Sequence, residues 1–192
     1  MKRFLAVAVA LMGCVIAWAQ EQAIRPLDVP MSFAGNYGEL RHDHFHGGLD
    51  WRVGGRVGDP IHAIKSGYIS RVSVSPWGYG NGLYITHPDG TMSVYGHMLR
   101  FSDAVARRVE EAQYAQESFS VNLTFGPDEF PVRQGDIVGQ VGNTGSSAGP
   151  HLHMEIRDTE KDLPLNYLSR GVYKPVDKTS PQFHRVCFGQ YL

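Results

Sequence analysis

Gly142-Asn143-Thr144-Gly145-Ser146-Ser147-Ala148-Gly149-Pro150-His151-Leu152-His153-Met154-Glu155-Ile156-Arg157 runs from a loop of small residues into a strand. Side chains alternate along a strand, so His151, His153 and Glu155 share one face. The two imidazoles then lie roughly 6–7 Å apart along the strand. One can bind a metal ion while the other meets a water on that ion. The small residues ahead of them let a peptide backbone approach closely. A flexible surface loop is the plainer reading of that run, but such a loop has no need to end on two aligned histidines.

A second string, His46-Gly47-Gly48-Leu49-Asp50, supplies the complement. A turn at its two glycines can bring the His46 imidazole and the Asp50 carboxylate onto one ion at ~2.0–2.2 Å. Two nitrogens and one carboxylate, with one position left to water, form the donor set of a catalytic zinc ion rather than a structural one. His42, His44 and His46 alternate, so spacing alone leaves His44 as a competitor for His46. His97, in Tyr95-Gly96-His97-Met98, is by spacing only a histidine at a strand end. The chain has 9 histidines, and a lone histidine is ordinarily a surface or satisfied core residue. Company and spacing decide which of them matter.

Around these strings the composition is that of a strand-rich domain, with 22 Gly, 11 Pro and turn signals at short spacing. Leu83–His87 and Met92–His97 read as strands joined by the turn Pro88-Asp89-Gly90. Ala63–Val74 is a further run, interrupted at Ser66-Gly67. Gly58-Asp59-Pro60-Ile61 is echoed by Gly135-Asp136-Ile137-Val138, which suggests two similar hairpin units, although Gly-Asp opens many turns. Residues 102–117 stand apart: Phe101, Val105, Val109 and Ala112 fall near helical spacing, and Ser102 can cap the start. Phe119–Phe125 then alternates as a strand. This helix and strand read as an insertion that either walls one end of a groove or merely decorates the surface. The expected fold is all-β, a mostly antiparallel sandwich or barrel-like core with a groove over one sheet and one short helical insertion.

Lys2 and Arg3, the apolar run Phe4–Trp18 and Ala17-Trp18-Ala19 read as an export signal over residues 1–19. An uncleaved anchor is a poorer reading, because about 15 apolar residues are short for a ~30 Å bilayer core. A lipid-modified Cys14 fits less well still, since the apolar run continues past it. Cleavage leaves about 173 residues, a net charge near −3 and Cys187 as the sole cysteine, which excludes an internal disulfide. No basic stripe argues for nucleic acid. Residues 20–29 read as a lead-in and 30–168 as one domain. Residues 169–192 read as a linker and the start of a further β segment, whether of a longer protein or docked back. A monomer is expected.

The chain resembles the LytM/lysostaphin family of zinc metallopeptidases over roughly residues 30–168. The resemblance rests on His46-Gly-Gly-Leu-Asp50, Gly78-Tyr79-Gly80-Asn81-Gly82, Tyr95-Gly96-His97-Met98 and the 142–153 string followed by Glu155. It implies one Zn2+ held by His46, Asp50 and His153, with His97 and His151 as the two proton-handling histidines. It implies peptides of bacterial peptidoglycan as substrate and the periplasm or cell envelope as location. Asn81 and Thr144 are expected to line the groove and hold the substrate backbone. Arg41 reads as an ordinary surface arginine. Met98 stands where leucine is usual, and the 102–125 insertion is longer than in minimal members. Members lacking ligands act as activators of other wall hydrolases, whereas all five positions are filled here. The bond cut stays open among D-Ala to diaminopimelate, a glycine bridge and other stem-peptide bonds.

Overall fold

The structure is a computed structural model that describes residues 21–173. The expected export signal lies outside the described residues, as does the 174–192 part of the expected linker. Twelve strands and one helix are formed among the described residues. In chain order they begin with β1 (Phe33–Gly35), β2 (Leu49–Arg52), β3 (Pro60–His62), β4 (Gly67–Val74), β5 (Asn81–Thr86), β6 (Thr91–Gly96) and β7 (Met98–Phe101). Helix α1 (Asp103–Ala115) follows, then β8 (Val121–Thr124), β9 (Pro131–Val132), β10 (Ile137–Val141), β11 (His151–Asp158) and β12 (Leu163–Pro164).

A large antiparallel sheet is ordered β1-β2-β11-β6-β5-β4-β8, with β12 beside β11 and β9 beside β4. A second sheet is ordered β3-β10-β7. The expected all-β sandwich with a single helix is the observed architecture. The two Gly-Asp segments meet each other: β3 and β10 pair antiparallel, and Gly58 N–H donates to the Val141 carbonyl at 2.8 Å. The sequence echo therefore marks two strands of one small sheet. The core between the layers includes Trp51, Ile61, Ile85, Tyr95, Val141 and Leu152, all fully buried.

Helix α1 buries Val105, Val109 and Ala112 at the helical spacing read from the sequence. Ser102 occupies the N-cap position, but its side chain makes no capping hydrogen bond. Its backbone is tied instead to the small sheet through Ser102 N–H to the Val138 carbonyl at 3.0 Å. The packed unit is wider than the expected 30–168. Leu27 is buried, and Tyr173 packs edge-on to Trp51 at 5.3 Å while its hydroxyl donates to the Ile24 carbonyl at 2.9 Å. Tyr173 thus packs on the core, while Ser169, Arg170, Gly171 and Val172 are exposed.

Candidate metal centre and groove

β2 and β11 are central neighbours in the large sheet, and their register places Asp50 opposite His153 and Arg52 opposite His151. Residues directly opposed across an antiparallel pair share a face. These four side chains therefore project into one open groove, of about 960 Å³, to which His46, Tyr79 and His97 also contribute. The alternate residues, Trp51, Leu152 and Met154, are buried in the core.

His46 enters from the loop before β2. Gly48 lets that loop lie against β11, because a Cβ there would stand 2.4 Å from the Met154 carbonyl oxygen. His97 follows β6 in the left-handed backbone region, with φ 59°, which turns its ring away from the strand direction into the groove. Such a conformation in a non-glycine residue costs energy and recurs at functional sites. The His97 N–H donates to the Tyr79 carbonyl at 2.7 Å, which helps hold it. The small-residue loop is not free. Gly145, with φ 70°, packs its backbone on Gly80, and a Cβ at 145 would lie 2.3 Å from the Gly80 nitrogen. Ser146 N–H donates to the Gly78 carbonyl at 2.9 Å, closing the clamp.

Proton bookkeeping defines what the centre can hold. His46 Nδ1–H donates to the Asn36 carbonyl at 2.7 Å, which leaves Nε2 a bare lone pair in the neutral ring. His153 Nε2–H donates to Glu155 Oε1 at 2.8 Å, which leaves Nδ1 bare. Those two bare nitrogens are 3.0 Å apart, and they lie 3.0 Å and 2.9 Å from Asp50 Oδ1. With both rings neutral, three electron-pair donors converge on one point, and all three residues are buried. A triangle of that size lets one ion reach each corner at the ~2.0–2.2 Å usual for zinc. The donor set fits such an ion.

Two further imidazoles surround the centre in the same tautomeric arrangement. His97 Nδ1–H donates to the Thr144 carbonyl and His151 Nδ1–H to the Gly149 carbonyl, each at 2.8 Å. Their Nε2 atoms are left bare, and that of His151 lies 3.5 Å from Asp50 Oδ1. The two rings sit 4.7 Å apart by centroid. Burial lowers the His97 pKa to about 4, so it is a neutral acceptor at pH 7. Burial also disfavours charge on His151 and His153, but hydrogen bonds to Asp50, and for His153 to Glu155, outweigh it and raise both. For Asp50, burial is outweighed by His151, His153 and His46, which in their protonated, metal-free form donate to the carboxylate and hold it far below its usual range. A cation at the centre reverses the histidine preference, since it competes with protons for the same lone pairs.

The orienting residues around the donors are what the sequence reading passed over. Glu155 is only 3% exposed and accepts from His153, from Arg157 Nε at 2.7 Å and from the Tyr79 hydroxyl. Burial alone would raise its pKa, but these donors bring it down to about 2. Arg157 also reaches Tyr79 Oη at 3.0 Å and Asp162 at 2.9 Å. Arg41, read as a surface arginine, donates to Asp50 Oδ2 at 2.8 Å and so leaves Oδ1 to face the centre. Alternation had already placed Glu155 beside the two histidines, which was the available signal for it. Tyr79 stands in the Gly78–Gly82 motif and Arg41 close before His46, but nothing in their spacing assigns either an orienting role.

His44 lies at the groove rim, exposed and paired with Asp43 at 2.6 Å, outside the convergent triad. Asn81 and Thr144 do not line this groove. Thr144 Oγ1 donates to the Met98 carbonyl at 3.0 Å and accepts from Asn81 N–H at 2.9 Å, while Asn81 Nδ2 donates to the Met98 carbonyl at 3.0 Å. They brace the two loops and face a separate, smaller depression that α1 also lines. The helical insertion therefore stands beside the brace rather than on the groove itself.

Comparison with known proteins agrees with this geometry. The model of Peptidase family M23 matches residues 44–128 and 117–166. The DD-carboxypeptidase/endopeptidase Mpg of Neisseria meningitidis serogroup B is 33% identical over 130 residues, 68% of this chain and 24% of that protein. The glycyl-glycine endopeptidase ALE-1 of Staphylococcus capitis is 29% identical over 111 residues, 57% of this chain and 24% of that protein. The chain thus spans about a quarter of the length of these two relatives. Among solved structures, the catalytic domain of the prophage-encoded M23 protein EnpA from Enterococcus faecalis superposes with a TM-score of 0.53 at 27% identity, covering 74% of this chain and 92% of that one. With two overlapping matches of the family model that together span the His46 loop through β11, the chain belongs to peptidase family M23.

Proposed function

We propose that this chain is a zinc-dependent endopeptidase that hydrolyses peptide cross-links or stem peptides of bacterial peptidoglycan after export to the cell envelope. The observation that carries the reading is the convergence of two imidazole nitrogens and one carboxylate oxygen on one buried point, beside two further imidazoles whose Nε2 atoms face the same centre. Zinc is the cofactor of this family, and His46 Nε2, Asp50 Oδ1 and His153 Nδ1 are the atoms that would hold it. When bound there, zinc supplies Lewis acidity that polarises a carbonyl and lowers the pKa of water.

This chain's residues do the rest. Of His97 and His151, one accepts the proton of the attacking water at Nε2, and the imidazolium so formed hydrogen-bonds the oxyanion; that proton then passes to the departing amine, whose departure the other ring aids. Each ring keeps its tautomer because its Nδ1–H is fixed on a carbonyl. Both named relatives carry endopeptidase in their names, which supports a peptide bond as the target. A non-hydrolytic envelope protein would need neither the intact donor triad nor the paired imidazoles.

Purified sacculi digested with the zinc-loaded protein, with and without a chelator, test the reading by mass spectrometry of the released muropeptides. Release that the chelator abolishes is expected. An intact, zinc-loaded protein that releases none overturns it.

A further inference from the structure

Arg52 follows Asp50 by two residues on β2 and stands directly opposite His151 on β11, on the groove face. Its Nε–H donates to the Phe33 carbonyl at 2.9 Å, which fixes the direction of the guanidinium. Among the described residues its two terminal nitrogens have no protein acceptor, and the side chain is exposed in the groove. The other charges on the groove are spoken for. Arg41 is held by Asp50 at 2.8 Å and lies 3.4 Å from Glu39, Asp43 is paired with His44, and Asp50 belongs to the donor triad. Arg52 is thus the uncommitted cation of the groove wall among the described residues, one strand step out from the centre.

We infer that Arg52 is a specificity residue that receives a free carboxylate of the substrate, so that the groove selects an acidic peptide stem over an uncharged glycine bridge. The inference rests on the endopeptidase reading above. Guanidinium and carboxylate match as a planar bidentate pair, which fits the two terminal nitrogens left open once Nε is tied down. Two residues of strand separate Arg52 from Asp50, about 6.6 Å. The carboxylate it meets therefore belongs to a residue within about two positions of the scissile bond. Because the pair is part-exposed, its effect is moderate, roughly five- to tenfold in kcat/KM.

The test compares two synthetic peptides identical except that one acidic side chain beside the scissile bond is a carboxylate in one and a carboxamide in the other. The zinc-loaded wild type is expected to prefer the carboxylate peptide by roughly five- to tenfold. Arg52→Ala should bring that ratio near one chiefly by lowering cleavage of the carboxylate peptide, Arg52→Glu should invert it, and Arg52→Lys should keep part of it. Equal cleavage of both peptides by the wild type, or an Arg52→Ala protein that loses both equally, overturns the inference and leaves the endopeptidase reading standing. If the wild type cleaves neither peptide, the sacculus digest alone decides the endopeptidase reading. Equilibrium binding of both peptides to the His97→Ala protein then repeats the comparison without turnover, and equal affinities there overturn the role of Arg52.

Discussion

Replacing Glu155 with alanine removes the one acceptor that fixes the His153 tautomer. The buried carboxylate takes hydrogen bonds from His153 Nε2 at 2.8 Å, from Arg157 Nε at 2.7 Å and from the Tyr79 hydroxyl. Without it, His153 gains nothing by carrying its proton on Nε2, and the Nδ1 lone pair aimed at Asp50 is present only part of the time. Loss of such an outer partner ordinarily lowers metal affinity about 10–100-fold. The same change removes the buried partner of Arg157 Nε and leaves the guanidinium with Tyr79 and Asp162 beside a void. Breaking a buried ion pair costs about 3 kcal/mol, or roughly 6–12 °C in melting temperature for a domain of this size. The two effects are separable. Zinc affinity is read by competition with a chromophoric chelator, and the tautomer by the 15N shifts of the His153 ring. Glu155→Gln keeps an oxygen acceptor for Nε2–H and is expected to recover most of the zinc affinity but less of the stability, because its amide nitrogen faces the donors of Arg157. A folded Glu155→Ala protein that binds zinc within about twofold of wild type, or whose His153 proton stays on Nε2, would refute the argument.

Further outcomes follow from the same geometry. His46→Ala and His153→Ala are each expected to abolish zinc binding and hydrolysis together, whereas His151→Ala keeps the metal and loses most turnover; metal loss in His151→Ala would show that the donor set is wrongly drawn. Gly145→Ala forces a side chain into a φ of 70° with its Cβ 2.3 Å from the Gly80 nitrogen, so it should cost about 2 kcal/mol or more in urea unfolding and reduce turnover by shifting the Thr144 carbonyl that holds His97. His87 is buried, and that burial holds its imidazole below the ordinary value of 6.5. The unfolded chain then takes up the proton first, so stability is full above pH 6.5 and falls as pH drops below it, by up to ~1.4 kcal/mol per pH unit. Urea midpoints at several pH values should show a shallower acid slope in His87→Gln than in wild type, and identical slopes would exclude His87 as the source.

The His-Leu-His pair, the alternation of β11 and the spacing of Val105, Val109 and Ala112 were legible because each is a local pattern whose period states the structure. The choice between His44 and His46 was not local. It depends on which ring the loop turns inward, and that is set by Gly48 lying against the Met154 carbonyl, far along the chain. Asn81 and Thr144 are the converse case. They stand in groove motifs, but polar side chains near a groove also serve to tie loops together, and here their hydrogen bonds end on the Met98 carbonyl. Arg41 was unreadable for a related reason, because its partner Asp50 is fixed by strand pairing that no spacing within residues 41–50 reveals.

The core and the centre are specified by one and the same register. Along β2, Leu49 and Trp51 are buried in the core while Asp50 and Arg52 face the groove; along β11, Leu152, Met154 and Ile156 are buried in the core while His151, His153 and Glu155 face the site. A slip of one residue in either strand exchanges the two faces. It would put Asp50 or His153 into the apolar layer and expose Trp51 or Leu152, each worth about 1.5–3 kcal/mol when buried, together with the far larger penalty of an unpaired buried carboxylate. The apolar alternation that builds the sandwich is therefore also what holds Asp50 opposite His153. Substitutions that loosen the Trp51 layer should weaken zinc binding without touching a donor atom.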